Sequence, residues 1–188
     1  MTVQQRNRVI ILLAVTALLL TAVVYAYIIP AQDARTEAYH KAQTDPLTHD
    51  LDSILPYKSD YMGDAPNLSQ LLYHLPLADV PISLELDSEQ LWVQVHYEAF
   101  SSDYGEEKLH QALVYNAVAI FSLIHNVNGV EFSFSDVTYR VAHMDLMRNW
   151  DISSEELSDP KTWKNQLQAR LNRPEFLQSC MDCFEIKE

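Results

Sequence analysis

Cys180 and Cys183, in the run Cys-Met-Asp-Cys, are the sharpest local feature of this sequence and its only two cysteines. Outside the cytoplasm oxidation is the default, and two cysteines three apart can close a small loop. A redox-active pair would want its first cysteine at a helix N-terminus, where the dipole lowers the thiol pKa. Here Asp182 and Glu185 lie alongside and should raise it. Structural zinc takes four ligands, of which this pair supplies two. The expectation is therefore a structural disulfide between Cys180 and Cys183, or between chains. Thiol or metal chemistry at the same pair is the alternative. No resident metal or cofactor is expected.

Seven histidines are scattered through the chain. His49-Asp50 with Asp52, and His143 with Asp145, are the tight His–carboxylate groupings, and neither contains two histidines at i and i+4. Solvated or capping histidines are the reading for both. His96 alternates with the outward side of a strand pattern, where ordinary sheet decoration is preferred to a pH-sensitive surface role. Glu106 and Glu107 resemble a carboxylate pair, but adjacent helical residues diverge by about 100°, and first-turn acids are explained by the helix dipole. There is no Gly-x-Ser-x-Gly and no His-Glu-x-x-His. Three glycines in the whole chain exclude glycine-rich phosphate loops. No catalytic residue is expected; a hydrolase of unrecognised type would need histidines and carboxylates assembled only in space. Tyr57, Tyr61, Tyr73 and Trp92 form a candidate partner surface, because aromatics are enriched at interfaces. About half of that set is expected to enter the core.

The element that must position all of these lies between Asp103 and Phe134. Leu109, Leu113, Asn116, Ile120, Ile124 and Val127 recur at helical spacing. Ala112, Val118 and Phe121 widen that stripe, so the helix should be covered on two sides. Asp103 and Glu106 fit a capping box, and Asn128-Gly129 fits a left-handed stop. Val130, Phe132 and Phe134 then alternate with polar residues as a strand does. Upstream, Ile82, Leu84 and Leu86, then Leu91, Val93, Val95 and Tyr97, predict a hairpin across a polar turn at Asp87 to Gln90. Val137 to Ala142 predicts a further strand and His143 to Trp150 a short helix. Asp159-Pro160 predicts a helix start with Trp163, Leu167 and Leu171 inward. Pro174 interrupts that helix before an acidic tail carrying the two cysteines.

The apolar run from Val9 to Ile29 contains no charge and spans about 31 Å as a helix, the thickness of a bilayer core. Arg6 and Arg8 precede it while Asp33 and Glu37 follow, which places the N-terminus inside and the remainder outside. Val24-Tyr25-Ala26 is a poor cleavage site, so an uncleaved anchor is preferred to a signal peptide. The organisation expected is residues 1–8 cytoplasmic, 9–29 transmembrane, 30–54 stalk and linker, 55–150 an extracytoplasmic domain, and 151–188 a helical extension with the Cys-x-x-Cys tail. Net charge is −13; removing the +2 of Arg6 and Arg8 leaves −15 after residue 30. Such a surface repels phosphate backbones, so nucleic acid is not a partner.

Several segments in order resemble one family. They are Tyr57-Lys58, Tyr61-Met62-Gly63-Asp64 and Leu75-Pro76, the hairpin SLELDSEQLWVQVHYE, the helix and strand NAVAIFSLIHNVNGVEFSF, and Tyr139-Arg140. Together, over roughly Leu55 to Trp150, they are similar to an uncharacterised extracytoplasmic domain of Gram-positive bacteria, domain-of-unknown-function family 4825. Met62 and Ala65 depart from the family pattern, and the Cys180–Cys183 tail lies outside it. The resemblance implies a membrane-tethered outer domain with an envelope sensing or interaction role and no established catalytic residues.

The expectation from sequence is thus an α+β protein: one N-terminal transmembrane helix, then an outer domain whose small antiparallel sheet packs on one long helix, with further short helices. Its function is expected to be non-catalytic, engaging an envelope or membrane protein or a peptidoglycan-related ligand at the bacterial cell membrane.

Overall fold

Every side chain from Gln111 to Leu123 is buried, which makes the helix α4 (Glu106–Leu123) the centre of the folded part of the chain. A computed structural model describes residues 3–148, 153 and 155–187. The chain divides into two compact units, Met1–Lys41 and Ala42–Glu188.

The first unit is helical. α1 (Val3–Val23) passes through a π turn at Val24–Ile28 into α2 (Ile29–Gln43). The stretch Gln4–Gln43 is long and apolar enough to cross a membrane. The two threonines of its apolar run do not leave polar groups open: Thr16 and Thr21 donate to the carbonyls of Leu12 and Ala17 at 2.8 and 2.9 Å. That back-bonding is how hydroxyls are satisfied where water is scarce.

The second unit begins with short turns and α3 (Ala65–His74), capped by the Asp64 carboxylate accepting from Asn67 N at 3.2 Å. Pro66 sits in its first turn, where a missing N–H costs nothing. The hairpin follows as β1 (Ile82–Asp87) and β2 (Trp92–Tyr97), then α4, β3 (Gly129–Ser133), β4 (Thr138–Ala142) and α5 (His143–Met147). Asp159 caps α6 (Pro160–Thr162), whose helix continues through a π turn at Trp163–Gln168 into α7 (Ala169–Leu171). α8 (Pro174–Met181) and β5 (Glu185–Lys187) complete the unit.

The five strands lie in the order β1-β2-β3-β4-β5. The expected antiparallel sheet has one exception, because β2 and β3 are parallel. Strands joined by a helix that runs back along the sheet must start at the same end, and α4 is that crossover. Val93, Val95, Val130, Phe132 and Val141 are buried in one apolar cluster with α4. Each such side chain stabilises by roughly 1.5–3 kcal/mol on burial, so the sheet–helix contact is the main source of stability.

Four local expectations are corrected. Asp103 accepts from Phe100 N at 3.1 Å and closes the short turn Ser101–Asp103, not α4, whose N-cap is Gly105. The helix stops at Leu123 because Ser59 bridges Ile124: Ser59 N donates to Leu123 O at 2.8 Å and His125 N to Ser59 O at 3.1 Å. Leu91 is not the first strand residue but a turn residue with φ 60°. Gly129 is not a left-handed stop. It opens β3, and a Cβ there would lie 2.5 Å from Cε2 and Cη2 of Trp92.

The stretch expected as stalk and linker divides in two. It is helical to Gln43, whereas His49, Leu51 and Ile54 are buried in the second unit's core. Pro174 begins α8 instead of a loose tail, and β5 joins the sheet, Tyr139 opposite Ile186 and Arg140 opposite Glu185. The helix expected to end at Trp150 is α5, and its last expected positions, 149 and 150, lie outside the described residues.

Candidate functional site: the outer face of the sheet

Alternation along the strands sends one set of side chains into the core and the other set outward. Register aligns the outward set in rows: Trp92 beside Gly129, then Gln94, Glu131 and Arg140, then His96, Ser133 and Thr138. These side chains are half-buried, the state of a sheet face with one side on a core and the other in solvent.

Trp92 is the centre of this face. Its indole lies flat over Gly129, where hydrogen in place of Cβ lets the ring approach the backbone. The Arg140 guanidinium covers the other side, with Cζ 3.9 Å from the ring centroid. Arg140 Nε is also 4.0 Å from Glu131 Oε2, and the two side chains are 30% and 22% exposed. At that exposure the pair is screened less than a fully solvated one. Backbone, indole, guanidinium and carboxylate thus form a layered patch on the outward side of the sheet. His96 lies on this outward face as its alternation requires and is half-buried there. Its Nε2 is closed off from solvent and has no hydrogen-bond partner among the described residues.

The other three aromatics proposed for a partner surface lie elsewhere along the chain. Tyr57 is half-buried, its ring 4.8 Å from that of His74 and its hydroxyl 3.2 Å from His74 Nε2. Tyr61 and Tyr73 are exposed at 69% and 53%. Among the described residues no ring contact joins any of them to Trp92.

A second polar assembly lies inside the domain. His49 Nε2 lies 2.6 Å from His74 O, so it carries the proton and donates. Nδ1 must then accept, and the Tyr115 hydroxyl donates to it at 2.8 Å. Tyr115 Oη in turn accepts from Trp163 Nε1 at 3.0 Å. Burial is the main cause holding His49 below its ordinary value, against the opposing effects of the His74 carbonyl and Asp50. Burial likewise pushes the Tyr115 hydroxyl far up. Asp50 is not a ligand partner of His49; it accepts from Asp52 N at 3.1 Å and caps a turn. Nor does His143 group with Asp145. Its ring stacks on Phe121 at 4.7 Å and contacts Val127 O at 3.2 Å, while Asp145 lies 3.6 Å from Arg148.

The disulfide expected between Cys180 and Cys183 is absent. Cys180 is wholly buried on the inner side of α8, while Cys183 lies past the helix end, its sulfur 3.6 Å from the carbonyls of Asp145 and Ser179. Burial, with Cys183 adding to it, pushes the Cys180 thiol up to about 12, which opposes a thiolate nucleophile or ligand. Among the described residues no three histidine, cysteine or acidic side chains gather as metal ligands. A solvent-open groove of about 260 Å³ between the first turn of α4 and α8 carries Glu106, Glu107 and His110, with no nucleophile placed against them.

Sequence reasoning named Trp92 without Gly129 and Arg140 as its neighbours, and missed the His49–Tyr115–Trp163 chain. The first could have been found from strand register, since Trp92, Gly129 and Ala142 form one row. The second joins residues 66 and 48 positions apart, which no local pattern reports.

No curated protein and no solved structure matches this chain. Residues 54–144, from the buried Ile54 through β4 into α5, match the family described as Domain of unknown function (DUF4825), in agreement with the resemblance carried by the tyrosine–glycine–aspartate turn, the hairpin and α4.

Proposed function

We propose that this chain is a non-catalytic, membrane-anchored interaction or sensing module of the bacterial cell envelope. The observation that carries this reading is the layered Trp92–Arg140–Glu131 patch on the open face of the sheet. The buried histidine and tyrosine are bonded inward and serve the fold. By contrast, Trp and Arg on a pre-arranged, half-buried face are the residue types that dominate binding energy at interfaces. The apolar run Val9–Ile29 supports anchoring, and Arg6 and Arg8 before it favour a cytoplasmic N-terminus with the domain outside. The partner is an envelope or membrane protein.

A photo-crosslinking amino acid placed at Gln94, beside the patch, tests this in intact cells, with Lys164 on the exposed side of the Trp163–Gln168 turn as control. The reading expects an adduct from position 94 and not from 164, lost in the Trp92→Ala, Arg140→Ala double variant. Identical products from both positions, or an adduct that survives the double substitution, would end it. Protease added to intact cells tests the orientation: the domain is digested if it is outside and protected if it is inside.

A further inference from the structure

The buried chain of hydrogen bonds at His49 has a direction, and the direction requires a neutral ring. Trp163 Nε1 donates to Tyr115 Oη, the hydroxyl donates to His49 Nδ1, and Nε2 donates to His74 O. A second proton on the ring would turn Nδ1 into a donor. Two N–H groups would then converge on one hydroxyl oxygen, and the O–H would lose its acceptor in a place water does not reach. His49 is 3% exposed and Tyr115 0%. Leaving a buried donor unsatisfied and burying a charge both disfavour the closed arrangement.

What this chain holds in place is the segment entering the domain. Gln168 Nε2 donates to Pro46 O at 3.0 Å and to His49 O at 2.8 Å, so the segment is clasped by the Trp163–Gln168 turn on one side and by α4 through Tyr115. The titratable groups facing His49 are Asp50 beside it in sequence, His74 at the end of α3 with Tyr57 against its ring, and Tyr115 on α4. The C-terminal helix brings Trp163 and Gln168, which do not titrate. Asp50 is exposed and is the one carboxylate among these groups that would favour the proton.

We infer that protonation of His49 releases residues 44–57 from α4 and the Trp163–Gln168 turn, making the entry segment of this domain an acid-sensitive latch. The latch is independent of what the outer sheet face binds.

Hydrogen–deuterium exchange of the full-length protein in detergent micelles, from pH 7.5 to 5.0 and corrected for the intrinsic amide rate, reads the latch directly. The open state takes the proton near the ordinary value of 6.5. Protection of residues 44–57 should therefore fall about tenfold for each pH unit below that, until the closed state itself titrates. Protection of β2 and β3 should stay unchanged. His49→Gln keeps a neutral donor and acceptor and should flatten the profile. If that variant does not fold at pH 7.5, Tyr115→Phe decides: without the hydroxyl the neutral ring loses its donated bond, so the closed state should titrate at higher pH and the fall should level off sooner. No change in residues 44–57, a change shared equally by the strands, a slope that persists in His49→Gln, or a levelling point unmoved in Tyr115→Phe would each overturn the inference.

Discussion

Gly129→Ala should destabilise this protein while Trp92 is present and stabilise it once Trp92 is gone. The added methyl would sit 2.5 Å from Cε2 and Cη2 of the indole, and ordinary contact begins near 3.4 Å, so the ring must retreat by about 1 Å. Arg140 covers the opposite side at 3.9 Å, so the ring cannot lift without displacing the guanidinium. Overpacking of this kind costs about 1–3 kcal/mol, and a weakened cation–π contact adds about 0.5–1 kcal/mol. Alanine in a strand gains about 0.5–1 kcal/mol over glycine from the unfolded state. The net expectation is a loss of about 0.5–3.5 kcal/mol in the native background and a gain of about 0.5–1 kcal/mol in Trp92→Ala. Urea unfolding of the full-length protein, followed by near-UV circular dichroism, isolates the tertiary packing of the domain from the helical signal of the N-terminal segment. Equal effects in both backgrounds would refute the layered arrangement, because additivity means that residues 92 and 129 do not touch.

Asn116 lies at 0% exposure inside α4 and donates to Pro76 O at 2.8 Å, so Asn116→Leu leaves a buried carbonyl unpartnered and should cost about 2 kcal/mol in the same assay. Asp64→Ala removes the acceptor for Asn67 N and should cost about 1 kcal/mol, recovered in large part by Asp64→Ser. Alkylation of native protein should label Cys183 quickly and Cys180 only as fast as α8 opens; equal rates would mean that Cys180 is not buried in the core. His49, His110 and His143 are all held below their ordinary value by burial, so the unfolded chain takes up their protons first. Their contribution to stability is therefore complete above about pH 6.5 and declines as pH falls toward the lowered native values. A midpoint that rises on acidification from pH 7 to 5.5 would contradict that sign.

Periodic burial is what the sequence determined by itself. The α4 stripe, the alternation of β1 and β2, the cap at Asp159 and the apolar N-terminal run each follow from neighbours within a turn or two, where spacing dictates which side chain can meet which. The boundaries of α4 did not follow. Its end is fixed by Ser59, more than sixty residues away, and Asp103 is drawn to Phe100 instead. Gly129 looked like a helix stop because Asn-Gly commonly is one; only register against Trp92 revealed that what the position needs is the absence of a side chain. β5 carries one apolar residue in three and gives no alternation to read, so its place in the sheet is set by pairing with β4. The His49 chain is the extreme case. Three side chains distant in sequence acquire a shared protonation state only when α3, α4 and the C-terminal helix bury them together, since burial is what fixes the direction of each hydrogen bond.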